Sequence, residues 1–164
     1  AYLSPEMKST GEAIGYDDSL PYALYKAMQA AGMKLQDHGT VLLSICPEDL
    51  EEALPLVGRF YYLGFNIEAT TGTARFLKER GIRTRVRRDY TEDPADITEA
   101  MRSGKAAYLI NTRNPRSAEH VSAGVEMRRL AIENNVTTFT SLDTVRALLD
   151  VLEAISSRIS TIDA

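Results

Sequence analysis

The sequence predicts a doubly wound α/β fold, with a mostly parallel sheet of about five strands between layers of helices. Short aliphatic or β-branched runs alternate with helical patterns along most of the chain, and a parallel crossover needs a connection of about that length. Glycines and polar clusters separate the two kinds of segment. The 164 residues fit one domain, with or without an appended piece. Such a domain buries roughly 68–70% of its unfolded surface, so its stability requires neither a disulfide nor a metal.

Residues 1 to 16 contain Pro5, Gly11 and Gly15, show little periodicity, and read as extended or loop. Asp18 or Ser19 can cap a first helix, with Pro21 in its first turn. Leu20, Ala23, Leu24, Ala27, Met28 and Ala31 recur at helical spacing before Gly32. "TVLLSI" after Gly39 is a buried type of strand. "PEDLEEALPLVGRFYYLG" is a helix whose early acids complement the macrodipole, with Pro55 as a blemish. Its Tyr61 and Tyr62 read as core or interface. "FNIEA" is the second strand and "TGTARFLKER" a helix closed by Gly81. "RTRVR" is a short third strand and "DITEAMRSG" a short helix. "AAYLIN" is the clearest central strand, followed by a helix over about Ser117 to Asn134. "VTTFT" is the last strand and "SLDTVRALLDVLEAIS" the last helix, capped by Ser141 or Asp143.

An apolar fraction of 44% and a charged fraction of 26% are those of a soluble globular protein. The net charge of −4 argues against a nucleic-acid partner. Cys46 is the only cysteine, which rules out an intrachain disulfide and a zinc cluster and suits a cytoplasmic location. No apolar run approaches the ~20 residues that span a bilayer, so no membrane partner is expected. The amino end lacks a signal-peptide pattern, and the chain reads as a fragment of a longer one.

In doubly wound sheets ligands sit outside the carboxyl ends of the strands, where strand order reverses. That rule brings Ser44 and Cys46, then Thr70 to Thr73, then Asn111 to Asn114 to one rim. The "ATTGTA" turn suits either of two roles. Thr70 or Thr71 can simply cap the helix, or the hydroxyls and amide groups around Gly72 can hold an anion. Arg87, Arg88, Arg113 and Arg116 could complete a phosphate pocket if they share that crevice; Arg83 and Arg85 read as solvated. Evidence for catalysis is thin, with no GxSxG, HExxH or Walker A sequence. His38 and His120 lack ligand-like spacing, and Cys46 reads as a buried structural thiol.

Three segments carry a family resemblance: "PEMKSTGEAIG", "GFNIEATTGTARFLKERGI" and "DITEAMRSGKAAYLINT". The first resembles the close of the second ATP-grasp half of the large subunit of carbamoyl-phosphate synthase. The other two resemble, in order and spacing, its carboxy-terminal methylglyoxal-synthase-like domain. The likeness spans roughly residues 5 to 150, and it implies a five-stranded, Rossmann-like, doubly wound sheet. It divides the chain into residues 1–36, the ATP-grasp tail and a linking helix, and residues 37–164, a regulatory domain. The resemblance further implies an allosteric and oligomerisation domain, with no catalytic site and no cofactor of its own. Its implied partners are a nucleotide effector such as UMP or IMP, the remainder of the large chain, the glutaminase small subunit and further copies of itself. ATP with Mg or Mn would serve the complete ligase elsewhere, in pyrimidine and arginine biosynthesis.

By the same resemblance the effector's phosphate would contact Thr70, Gly72 and Thr73, and its base or ribose would approach Asn111 and Arg113. Ser44 and Ser122 fall on family binding positions, Thr112 follows Asn111 at the strand end, and Arg88 is one residue from a family lysine position held here by Asp89. Where the bacterial pattern has two lysines, this sequence has Leu50 and Asp89, which should weaken a phosphate pocket. Methylglyoxal synthase shares the fold and is the enzymatic alternative, with Glu68 and Asp89 as its only candidate carboxylates on this rim. A stand-alone nucleotide-binding or assembly module is a third reading.

Overall fold

The computed structural model of the protein describes residues 19–112 and 118–163. Expectations for residues 1 to 18, and for Arg113, Asn114 and Arg116, lie outside the described residues. In chain order the elements are α1 (Ser19–Ala30), β1 (Thr40–Ser44), α2 (Leu50–Tyr62), β2 (Asn66–Thr70), α3 (Thr71–Glu79) and β3 (Arg85–Arg87). Then come α4 (Pro94–Arg102), β4 (Ala106–Asn111), α5 (Ala118–Glu133), β5 (Thr137–Phe139) and α6 (Leu142–Asp163). The five strands form one sheet in the order β3-β2-β1-β4-β5, and every neighbouring pair is parallel. The predicted doubly wound sheet is therefore the observed fold.

Period-two alternation assigns the two layers. Val41 and Leu43 of β1, with Tyr108 and Ile110 of β4, face a core shared with α2, α3 and α6. Leu42 and Leu109 point the other way, onto Ile97 and Met101 of α4 and Met127 and Leu130 of α5. Each such fully buried side chain contributes roughly 1.5–3 kcal/mol relative to exposure. The central strands are buried on both faces, which is why they read as unbroken aliphatic runs. The edge strand β3 is shorter than "RTRVR" suggested: only three residues pair with β2, and Arg85 and Val86 stay exposed.

Local chemistry accounts for the element ends. Gly39 opens β1 at φ 115, and a Cβ there would lie 3.0 Å from the carbonyl oxygen of Lys105, so no other residue fits beside the start of β4. The stretch Pro47–Asp49 is a 3-10 turn leading into α2, and Pro55 is tolerated on the exposed side of that helix. Asp93 caps α4 by accepting the Ala95 amide at 3.1 Å. At the far end of α2, Tyr61 is half exposed and Tyr62 is 92% exposed, so the second of these is not a core residue.

Tyr108 ties the middle of the sheet to the segment that follows α1. Its ring packs between Phe65 and Phe139, each 5.9 Å away between centroids. Its hydroxyl donates to the Gln36 carbonyl at 2.5 Å and accepts the Gln36 amide at 2.8 Å. Burial pushes the phenol pKa up to about 12, outweighing the Gln36 hydrogen bond. Tyr108→Phe keeps the ring and removes both bonds. It is expected to lower the unfolding free energy by ~1–3 kcal/mol in urea titration, and an unchanged midpoint would show that the hydroxyl carries no stability.

Candidate functional site

Strand order turns back between β1 and β4, and the segments leaving their carboxyl ends diverge to opposite faces of the sheet. A pocket of about 330 Å³ opens there, within the range of small-molecule sites. Of the residues expected at this rim, Ser44, Cys46, Thr70, Gly72, Thr73, Asn111 and Thr112 line the pocket, and Thr71 does not. Thr73 and Asn111, from different elements, face the same space. Arg113 lies outside the described residues. Arg88 and Ser122 are exposed and do not line the pocket, although Ser122 immediately precedes Ala123 and Gly124, which do.

Most of the polar atoms on this rim hold the rim itself together. The Thr73 hydroxyl accepts the Ile45 amide at 3.1 Å and donates to the Ile45 carbonyl at 3.3 Å. Thr112 Oγ1 accepts the Cys46 amide at 2.9 Å. Asn111 Nδ2 donates to the Ser44 carbonyl at 3.3 Å, while its Oδ1 accepts Arg128 Nη1 at 2.7 Å. Gly124 makes room for that last bond, because a Cβ there would meet both Asn111 Oδ1 and Arg128 Nη1 at 3.0 Å.

The atoms left to meet a ligand are fewer. Thr70 stands at the N-cap of α3 with extended backbone, yet its side chain makes no cap hydrogen bond, which sets aside the capping role for this residue. It is only 3% exposed, and its hydroxyl bonds to no described residue. Thr138 carries the one sealed and unpaired side-chain oxygen among the described residues, and Thr70 is among the residues that line the pocket. The first amides of a helix have no intrahelical partner, and α3 starts with none of them capped by Thr70. Gly72 is exposed in that first turn, and nothing lies within 4 Å of where its Cβ would be. Packing does not require glycine there, although glycine costs about 1 kcal/mol relative to alanine within a helix.

Of the expected cations, Arg87 and Arg88 do not line the pocket, and Arg113 and Arg116 lie outside the described residues. Arg87 is buried, donating from Nε to Glu68 Oε1 at 2.6 Å and from Nη1 to Asp96 Oδ1 at 2.8 Å. It neutralises carboxylates behind the rim and leaves Glu68 engaged. No lysine, arginine or histidine is among the described lining residues, whereas Asp89 is. Cys46 also lines the pocket, but burial pushes its thiol pKa up and the S–H donates to Asp49 Oδ2 at 3.1 Å. That is the behaviour of a structural thiol rather than a nucleophile. Sequence reasoning missed the α5 wall of Ala123, Gly124 and Met127 and the Tyr90–Thr91 wall after β3. Neither carries a motif, and only the topology brings them here.

The chain matches the MGS-like domain family over residues 52–140, more than half its length, and belongs to that family. The matched stretch runs from α2 to the end of β5 and contains the α3, β4 and α5 walls of the pocket. Among the described residues no helix is long and apolar enough to cross a membrane.

The Arg87 triad fixes the start of the Asp89–Thr91 wall, since Asp96 Oδ2 also accepts the Arg88 amide at 2.8 Å. Burial opposes the charge on Asp96, but the Arg88 amide and the Arg87 guanidinium outweigh it and lower its pKa from 3.8. A lowered folded-state pKa contributes stability above the unfolded value, which is lost as pH falls through the folded one. Asp96→Asn is therefore expected to destabilise at neutral pH, by at most the ~3–5 kcal/mol seen when a buried pair loses one partner. It should also flatten the fall in thermal midpoint below about pH 4. An unchanged acid profile would show that Asp96 is not the titrating group.

Proposed function

We propose that this chain is a ligand-sensing domain: the carboxy-terminal allosteric domain of the large chain of a glutamine-hydrolysing carbamoyl-phosphate synthase. It would bind a nucleotide effector of the UMP or IMP class through the phosphate. The observation that carries this reading is the first turn of α3, uncapped by Thr70, beside a Thr70 hydroxyl that lines the pocket and bonds to no described residue. Helix amino termini attract phosphate through their amides and a charge of about +0.5. The glycine at position 72, which no packing contact requires, is accounted for if a phosphate comes close to that backbone.

The catalytic steps, with their ATP and Mg or Mn, would belong to the rest of the enzyme, as would the glutaminase subunit. Residues 1–36 would join this domain to it, and the exposed Tyr61 and Tyr62 offer a contact to that body or to another copy. An effector would shift the enzyme between states only by its differential affinity for them. A second reading, a methylglyoxal-synthase-type lyase, is favoured by one observation: the Asp89 carboxylate is at the pocket and bonded to no described residue. Glu68, the other candidate base, is held by Arg87.

Calorimetric titration with UMP, IMP and inorganic phosphate tests the sensor reading. Thr70→Val should weaken binding about tenfold or more, the loss of one hydrogen bond to a charged group. Gly72→Ala should do so as well while raising the thermal midpoint, because alanine favours the helix by up to about 1 kcal/mol. Absence of binding at millimolar ligand would refute the effector site and leave an assembly role. Conversion of dihydroxyacetone phosphate to methylglyoxal would replace the sensor reading by the lyase.

A further inference from the structure

The described lining residues of this pocket carry the reverse of the charge that a simple anion site needs. Asp89 is the one carboxylate among its described lining residues, and no described cation lines it. Two of the neighbouring arginines are engaged elsewhere: Arg87 is held by Glu68 and Asp96, and Arg88 is exposed, with its nearest carboxylate contact at Asp93, 3.5 Å away. Arg128 reaches the β4 side of the pocket, where it donates to Asn111 Oδ1. A bare anion at the first turn of α3 would gain the half charge of the helix and meet the full negative charge of Asp89.

Asp89 is nevertheless held in a defined place. Its carbonyl accepts the amides of Glu92 at 2.9 Å and Asp93 at 2.9 Å. The residue before it is anchored through its amide to Asp96, and Asp93 goes on to cap α4. The Asp89 side chain, half-buried on this tight turn, makes no hydrogen bond or ion pair with any described residue. A carboxylate accepts hydrogen bonds and donates none, so an occupant that displaces water from it must bring donors.

Resting on the sensor reading above, we propose that the pocket selects ligands with an anionic group at one end and hydrogen-bond donors at the other, Asp89 being the specificity-determining residue. The anion sits against Thr70 and the first turn of α3. The donors, either the vicinal hydroxyls of a sugar or an ammonium group, bond to the Asp89 carboxylate. Such a ligand converts the adverse charge of Asp89 into a charge-assisted bond, while an ester lacking donors leaves the carboxylate desolvated and repelled.

Three probes distinguish the possibilities on the whole chain by calorimetry. They are ribose 5-phosphate, which carries a diol, 2-aminoethyl phosphate, which carries an ammonium, and methyl phosphate, which carries neither. At least one of the first two should bind about tenfold tighter than methyl phosphate, the value of a hydrogen bond to a charged group. Which one does so names the donor. In Asp89→Asn, a variant that removes no intramolecular bond, the preference should collapse and methyl phosphate should bind as well as before or better. Equal affinity for all three probes, or a preference that survives Asp89→Asn, overturns the role of Asp89 and leaves the phosphate site standing. Loss of the preference on adding EDTA also overturns it, in favour of a divalent cation bridging Asp89 and the phosphate. If no probe binds, the sensor reading and the role of Asp89 fall together.

Discussion

At the carboxyl end of β1 the chain leaves the sheet, Ser44 is the last residue paired with β4, and the backbone groups of Ile45 and Cys46 lose the regular ladder. Unpaired buried backbone polar groups cost about 1–3 kcal/mol each, so something must replace it. Three side chains from two other strand ends do: Thr73 for Ile45, Thr112 for Cys46, and Asn111 for Ser44. The Thr112 amide adds a fifth bond, to the Ser44 carbonyl at 3.1 Å. This stitching holds the ends of β1, β2 and β4 apart at a fixed spacing, and the pocket is the space that remains.

The same stitching changes how the rim residues are to be read. Thr73, Asn111 and Thr112 belong to patterns that suggest ligand contact, and they do line the pocket. Their polar atoms are already engaged within the protein. Thr73 uses both its proton and a lone pair on Ile45, so removing its hydroxyl would disturb the floor before it disturbed any ligand. The lining groups that bond to no described residue are the Thr70 hydroxyl, the first amides of α3, the carboxylate of Asp89, and the hydroxyls of Ser44, Tyr90 and Thr91. A test of binding has to be aimed at these.

Periodicity made the fold legible because the central strands are buried on both faces. "AAYLIN" coincides with β4 residue for residue, and the doubly wound order followed from alternation alone. Legibility faded where tertiary contacts decide. The third strand shortened at the sheet edge, where β2 pairs it on one side only. The last helix runs on to Asp163, past the expected end near Ser156. At the site, strand ends were readable because every parallel sheet places its carboxyl rim in the same way. The partners of Arg87 were not readable, because Glu68 is nineteen residues away in sequence and two rungs of a ladder away in space. Nor could spacing show that Thr70 leaves its helix uncapped.

The titratable groups with displaced pKa values bear on whether this site binds or reacts. Shifted groups gather at catalytic centres when their shifts serve proton transfer. Here the causes are structural. Tyr108 is shifted by its place in the aromatic core, Asp96 by the triad that braces β3 and α4, and Cys46 by burial with its proton given to Asp49. Each shift stabilises the protonation state that the fold uses at neutral pH, the phenol and thiol neutral and the carboxylate charged. None leaves a group poised to exchange a proton near pH 7, which general acid–base chemistry requires. The three shifts therefore report on how the fold is braced and do not by themselves mark the pocket as a catalytic centre.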